Sequence, residues 1–82
     1  MNFIRGILNN METTINFYQI FRINTDGSIE PLRPVRIGGV QMGPGVKFGK
    51  GVSFSGVDLS LYAGRDFLVE DRDNILVIKG IF

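Results

Sequence analysis

The chain contains neither cysteine nor histidine. Without cysteine it can form no disulfide, no thiolate nucleophile and no cysteine-ligated metal site. Without histidine it lacks the side chain best suited to acid–base catalysis near neutral pH, which is also the commonest zinc ligand. The two absences together predict a protein that is not an enzyme and that uses no cofactor or metal.

Strong net charge and long apolar runs are also missing. The net charge of +1 gives no general attraction to nucleic acid or to anionic membranes. The apolar runs are far shorter than the roughly 20 residues needed to cross a bilayer. Together with the lack of cysteine, this predicts a cytoplasmic protein that does not associate with membranes.

At 82 residues the chain is expected to form a single domain, 1–82, with a thin core. Apolar residues recur at helical spacing from Phe3 to Met11, so residues 1–13 predict a short helix over one end of a sheet, or a leader. Met11 is a second candidate start site. Because nothing cross-links the core, close packing or oligomerisation has to add stability.

Residues 14–37 predict a first hairpin. Residues 14–23 are rich in β-branched and aromatic side chains that alternate as in a half-buried strand. Residues 24–28 read Asn-Thr-Asp-Gly-Ser, which is a strong turn signal. The second strand, 29–37, contains Pro31 and Pro34, which have no ladder donor, so it is expected to be broken or to lie at a sheet edge.

Residues 39–56 form a repeat of three hexads. Each hexad has glycine, valine, a polar residue, a large apolar residue and then two residues that are mostly small or turn-forming, Lys50 being the exception. The apolar positions are all even-numbered, so in extended chain they share one face: Val40, Met42, Val46, Phe48, Val52 and Phe54.

Glycine before Val40, Val46 and Val52 makes this segment resemble the hexapeptide repeat of left-handed parallel β-helices, the fold of many acyltransferases. The resemblance implies a coil of stacked parallel strands over residues 39–56. Two features favour successive tight turns in a small barrel or roll instead. The position two residues after each valine is large where that family has a small residue, and three hexads make only about one coil.

Residues 57–82 predict the C-terminal strands. After Gly56 the apolar residues occupy odd-numbered instead of even-numbered positions. This change predicts a bulge or tight bend at Ser55 and Gly56. Residues 71–74 form a polar turn, and residues 75–82 form a nearly continuous apolar run. Such a run is typical of a central strand or of one that pairs with another subunit. The expected fold is therefore mainly β: a small, mostly antiparallel barrel or roll of five to seven short strands.

The favoured function is a non-enzymatic structural or protein-interaction module that associates with itself, as a homo-oligomer or with a protein partner. An apolar C-terminal strand invites pairing with another chain, and the candidate residues are Ile75, Val77, Ile81 and Phe82. Compact domains without cysteine are common among accessory proteins of mobile elements and phages, and that origin is a further expectation.

Two alternatives stay open. Residues 22–57 carry a local excess of basic residues interleaved with aromatics, as on oligonucleotide-binding barrels. The candidate nucleic-acid contacts are Tyr18, Arg22, Arg33, Arg36, Lys47 and Lys50. The second alternative is a small anion held by the amides of the glycine turns beside Lys47 and Lys50.

An acidic cluster lies near the C-terminus: Asp66, Glu70, Asp71 and Asp73. We interpret it as a polar turn, because it lacks the glycine and the final glutamate of a calcium loop.

Overall fold

The computed structural model describes residues 12–82, so the helix or leader predicted for residues 1–13 and the candidate start at Met11 fall almost wholly outside the described residues. The prediction of a mainly β fold with five to seven short strands is confirmed: residues 12–82 form seven strands in two sheets. The elements follow the chain in this order: β1 (Glu12–Asn16), helix α1 (Phe17–Ile20), β2 (Phe21–Ile23), β3 (Ile29–Pro31), β4 (Val35–Ile37), β5 (Val40–Met42), a 3-10 helix (Leu59–Tyr62), β6 (Asp66–Arg72) and β7 (Ile75–Ile81).

The larger sheet has the strand order β1-β6-β7-β4-β5. Its pairs are antiparallel except β4 with β7, which is parallel. The apolar C-terminal run thus forms the central strand, with neighbours hydrogen-bonded along both of its edges. This agrees with the first of the two interpretations of that run, a strand in the middle of a sheet.

The strand predicted for residues 14–23 is interrupted by α1. Asn16 caps this helix by accepting from the amide of Tyr18 at 3.1 Å, while the Gln19 side chain accepts from the amide of Asn16 at 2.8 Å. This reciprocal pair is a capping box, which outweighs the strand preference of the aromatic residues around it. The chain then turns into the small sheet of β2 and β3.

The turn predicted at residues 24–28 joins β2 to β3, with Gly27 at a φ of +88°. The strand expected over residues 29–37 is broken between Pro31 and Pro34. Its first part, β3, pairs with β2, whereas its second part, β4, joins the larger sheet. The prolines therefore mark the point where the chain changes sheets.

The hexads do not stack on one another, so the β-helix implied by the resemblance is wrong. The first hexad contains β5, which pairs with β4; the second bridges to β3 through Phe48 and Ile29; the third folds back on itself between Phe54 and Val57. Met42 and Phe48 are buried, but Val46 and Val52 are exposed at 44% and 41%, so the predicted common face holds only in part. Ser55 and Gly56 form the predicted tight bend, both with positive φ.

Phenylalanines connect the two sheets and the repeat. Phe21 of the small sheet lies 6.3 Å from Phe67 of the larger sheet and 6.4 Å from Phe48 of the second hexad, measured between ring centroids. Phe17 and Phe54 extend the cluster at either end, at 5.1 Å from Phe21 and 4.8 Å from Phe48 respectively. One apolar core thus covers one face of the larger sheet. No helix among residues 12–82 has the length and apolar character needed to span a bilayer.

Candidate interaction surface

The larger sheet has a second face, directed away from the core, which we call the outer face. In β6, Phe67 and Val69 are fully buried in the core, so alternation places Leu68 and Glu70 on the opposite side. Three half-buried apolar side chains on this side do not belong to the core cluster: Leu68, Ile75 and Val77. They lie on the two longest strands, β6 and β7, and we call them the apolar strip.

A carboxylate lies beside this strip. Glu70 is only 3% exposed, and its side chain contacts Arg72 (Oε2 to Nη2, 2.9 Å) and Lys79 (Oε1 to Nζ, 3.7 Å). The hydrogen bond from Arg72, with the charges of Arg72 and Lys79, lowers the pKa of Glu70 despite its burial. Glu70 therefore stays ionised at neutral pH.

The strand register places five outer-face residues side by side across the sheet, one from each strand. We call them the central row: Glu12, Glu70, Val77, Arg36 and Gln41, from β1, β6, β7, β4 and β5. The row is acidic at one end, apolar in the middle and basic beyond it. Arg36 Nη2 donates to Gln41 Oε1 at 3.2 Å, so the basic end is also ordered.

The outer face as a whole carries no net charge, since it has three acidic and three basic residues. The acidic residues lie on β1 and β6, and two of the three basic residues lie on β7 and β4: Glu12, Asp66 and Glu70 against Arg72, Lys79 and Arg36. Because Glu70 pairs with Arg72 and Lys79, much of the charge on this face is compensated within the chain.

The four residues predicted for self-association do not share one surface. Leu68 pairs with Gly80 and Val69 with Ile78, so Lys79 is an extra, bulged residue in β7. The bulge reverses the strand's alternation: Ile75 and Val77 lie on the outer face, but Ile81 packs against the core. Phe82 is 59% exposed beyond the end of the strand.

The six residues predicted to bind nucleic acid lie on separate segments. Tyr18 is in α1, Arg22 in β2, Arg33 in the connection to β4, and Arg36 in β4 itself, while Lys47 and Lys50 lie in the loop after β5. Arg22 pairs with Glu30 at 3.4 Å and Arg33 with Asp71 at 3.0 Å. Two of the five cations are thus already matched by carboxylates.

The glycine turns bind carboxylates of the same chain. The amide of Gly45 donates to Glu30 Oε2 at 2.8 Å, and the amide of Gly51 donates to Asp58 Oδ2 at 2.9 Å. The Gly45 hydrogen bond is the main cause that lowers the pKa of Glu30, whereas the Ser60 hydroxyl, followed by the Gly51 amide, lowers that of Asp58. A free anion would have to displace these internal carboxylates to use either amide.

The acidic cluster predicted near the C-terminus is divided among several partners. Asp66 accepts from Asn16, Glu70 pairs with Arg72 and Lys79, and Asp71 pairs with Arg33. Only Asp73 lies in the turn, where it and Asn74 adopt positive φ. Over residues 12–82, no three acidic side chains come close enough together to hold a metal ion, and the same part of the chain has no pocket.

The sequence analysis assigned Ile75 and Val77 to self-association, missed Leu68 and Glu12, and assigned Arg36 and Glu70 to other features. The position of Leu68 could have been predicted from strand alternation. Its neighbours Phe67 and Val69 are apolar and favour the core, so Leu68 faces the other way. The central row gave no signal, since it depends on two pairings between strands that are distant along the chain, β1 with β6 and β4 with β7. No protein-family model matches this chain, and no curated protein or solved structure is significantly similar to it.

Proposed function

We propose that this chain is a small, non-enzymatic protein-interaction module that associates with itself. The observation that carries the proposal is the apolar strip of Leu68, Ile75 and Val77 on the outer face, which the core does not cover. Partly exposed apolar residues grouped together in the middle of a sheet favour contact with another protein surface. The lack of cysteine is compatible with action in a reducing compartment such as the cytoplasm.

Light scattering over a wide range of protein concentration tests this proposal. We expect the unmodified chain to show the mass of a dimer or larger assembly that dissociates on dilution. Val77→Lys should weaken the assembly, because it places a charge within the apolar strip. The control is Val52→Lys, at an exposed valine in the hexad loop. A chain that remains monomeric at millimolar concentration would contradict the proposal.

Nucleic-acid binding is the alternative function. It is supported by Lys47 and Lys50, which are exposed and have no ion-pair partner among residues 12–82. Binding of single-stranded DNA or RNA that weakens with salt, and that falls further on Lys47→Ala or Arg36→Ala, would favour this alternative. Unchanged electrophoretic mobility of the nucleic acid at low salt would count against it.

A further inference from the structure

Asp26 is the one aspartate or asparagine in the sequence that is followed by glycine. In such a pair the backbone nitrogen of glycine can attack the side-chain carboxyl carbon of aspartate, because glycine has no Cβ to hinder the approach. A bond forms between the nitrogen of Gly27 and Cγ of Asp26, one water molecule leaves, and the product is a five-membered succinimide ring. Water then reopens the ring and leaves isoaspartate, whose main chain runs through the former side chain.

We infer that Asp26–Gly27 is a site of isomerisation that the folded turn protects and that unfolding exposes. The inference is independent of the proposed self-association, since it concerns one turn of a single chain. This turn, residues 24–28, joins β2 to β3, and both Asp26 and Gly27 are exposed to solvent. Protection therefore has to come from hydrogen bonds and not from burial.

The attacking nitrogen is engaged in the folded turn. The amide of Gly27 donates to the carbonyl of Asn24 at 2.9 Å, and the amide of Asn24 donates to the carbonyl of Ser28 at 2.8 Å. The nitrogen has to lose its proton to react as a nucleophile, so the hydrogen bond that this proton makes has to break first. The same hydrogen bonds hold the peptide plane between Asp26 and Gly27 in one orientation.

The carboxyl group of Asp26 is held in its unreactive, ionised form. Its Oδ1 accepts from the Ser28 hydroxyl at 2.6 Å and from the Ser28 amide at 2.9 Å, and Asn24 Nδ2 donates to the same hydroxyl at 3.0 Å. The hydrogen bonds from Ser28, with a smaller contribution from the charge of Lys47, lower the pKa of Asp26. Because water leaves far more readily from a protonated carboxyl than from a carboxylate, the lowered pKa slows the reaction at neutral pH.

Isomerisation would lengthen the backbone of the turn by one carbon atom. The small sheet has only three residue pairs, and the pair next to the turn is Ile23 with Ile29. Ile29 also exchanges two backbone hydrogen bonds with Phe48, at 2.7 and 3.0 Å. A longer turn would shift Ile29 against both partners, so the isomerised chain should be less stable than the intact one.

Mass spectrometry with electron-transfer fragmentation distinguishes aspartate from isoaspartate at a chosen position. The full-length protein is incubated at neutral pH, in buffer and in guanidinium chloride. We expect isoaspartate to form from Asp26 about tenfold more slowly in the folded protein, because its formation there has to break hydrogen bonds of ordinary strength. Equal rates in the folded and the unfolded chain would overturn the inference.

Ser28→Ala tests the contribution of the hydroxyl, because it leaves the backbone hydrogen bonds of the turn in place. It should raise the rate in the folded protein about fivefold, the change expected from the loss of one hydrogen bond. Ser28→Thr is the matched control, since it keeps a hydroxyl, and it should react at the wild-type rate. Equal rates for the two variants would overturn the role assigned to the hydroxyl. The comparison in guanidinium chloride needs no substitution, so it stays decisive if Ser28→Ala is poorly folded.

Discussion

Gly38, which directly follows β4, is a residue that the fold cannot easily replace. Its φ is +59°, and a Cβ added there would overlap the side chain of Ser55, whose hydroxyl donates to the carbonyl of Ile37 at 3.3 Å. The close approach brings the Ser55–Gly56 bend against the end of β4. A single glycine thus allows the third hexad to pack on the larger sheet.

We therefore expect Gly38→Ala to lower the free energy of unfolding by about 1–3 kcal/mol, through overlap and an unfavourable backbone conformation. Denaturant unfolding measures this change. Gly39→Ala is the matched control, because the added Cβ meets no atom within 4 Å and the φ of Gly39 is not positive. Equal destabilisation by the two substitutions would contradict the role assigned to the contact with Ser55.

At the scale of elements, Asn16 connects three segments. Besides capping α1, its side-chain amide donates to the carbonyl of Gly64 at 2.9 Å and to Asp66 Oδ1 at 3.0 Å. The backbone amide of Phe17 also donates to the carbonyl of Arg65 at 2.9 Å. The start of α1 is therefore held against the loop that leads into β6.

Asn16→Ala should lower the free energy of unfolding by about 1–2 kcal/mol, because it removes the helix cap and the donor to two acceptors together. Thr14→Ala, at an exposed position of the same strand, is the control and should cost less. Thermal and denaturant unfolding would measure both variants. A loss no larger than that of the control would show that the capping box contributes little to α1.

The sequence predicted those elements whose signals are local. The turn at residues 24–28 and the bend at residues 55–56 contain residues that accept positive φ, and their positions were correct. The helix α1 was missed because Phe17, Tyr18 and Ile20 favour a strand on propensity alone. The Asn16–Gln19 capping pattern was visible in the sequence, but four residues are too few to show helical periodicity.

Features that depend on non-local pairing could not be predicted. Strand β4 was read as the continuation of β3, and no sequence signal shows that it pairs in parallel with β7. The central row depends on that pairing, because it brings Arg36 beside Val77 and Glu70. The bulge at Lys79 was equally invisible, so Ile81 was grouped with Ile75 and Val77 although it faces the core.

At the scale of the whole molecule, ionised carboxylates join segments that are distant along the chain. Glu30 connects the small sheet to the hexad loop, Asp58 connects the 3-10 helix to the same loop, and Glu70 connects β6 to β7. Hydrogen bonds or ion pairs lower the pKa of each, and of Asp26 in the first turn. Since the folded state binds protons less readily than the unfolded state, it depends on these groups being charged.

The free energy of unfolding should therefore be constant near neutral pH and fall as the pH drops below about 5, where unfolded-state carboxyls begin to protonate. The loss should continue until the lowered pKa values of the folded state are passed. Denaturant titrations from pH 7 to pH 2.5 would measure it. Glu30→Gln should reduce the loss of free energy at low pH, because it removes one carboxylate whose pKa is lowered in the folded state. A free energy of unfolding that stays unchanged down to pH 3 would contradict the dependence of the fold on charged carboxylates.

The central position of β7 also affects the order in which the fold can be made. In the folded protein, β7 alone joins two pairs of strands, β1 with β6 and β4 with β5, so a chain that ends before Ile75 cannot form the five-stranded sheet. A ribosome that stalls before Ile75 would hold a nascent chain that lacks β7, the central strand of the larger sheet. Such a product would expose apolar surface and be a ready substrate for cellular quality control. Incomplete chains are thus expected to be degraded rather than to accumulate as partly active forms.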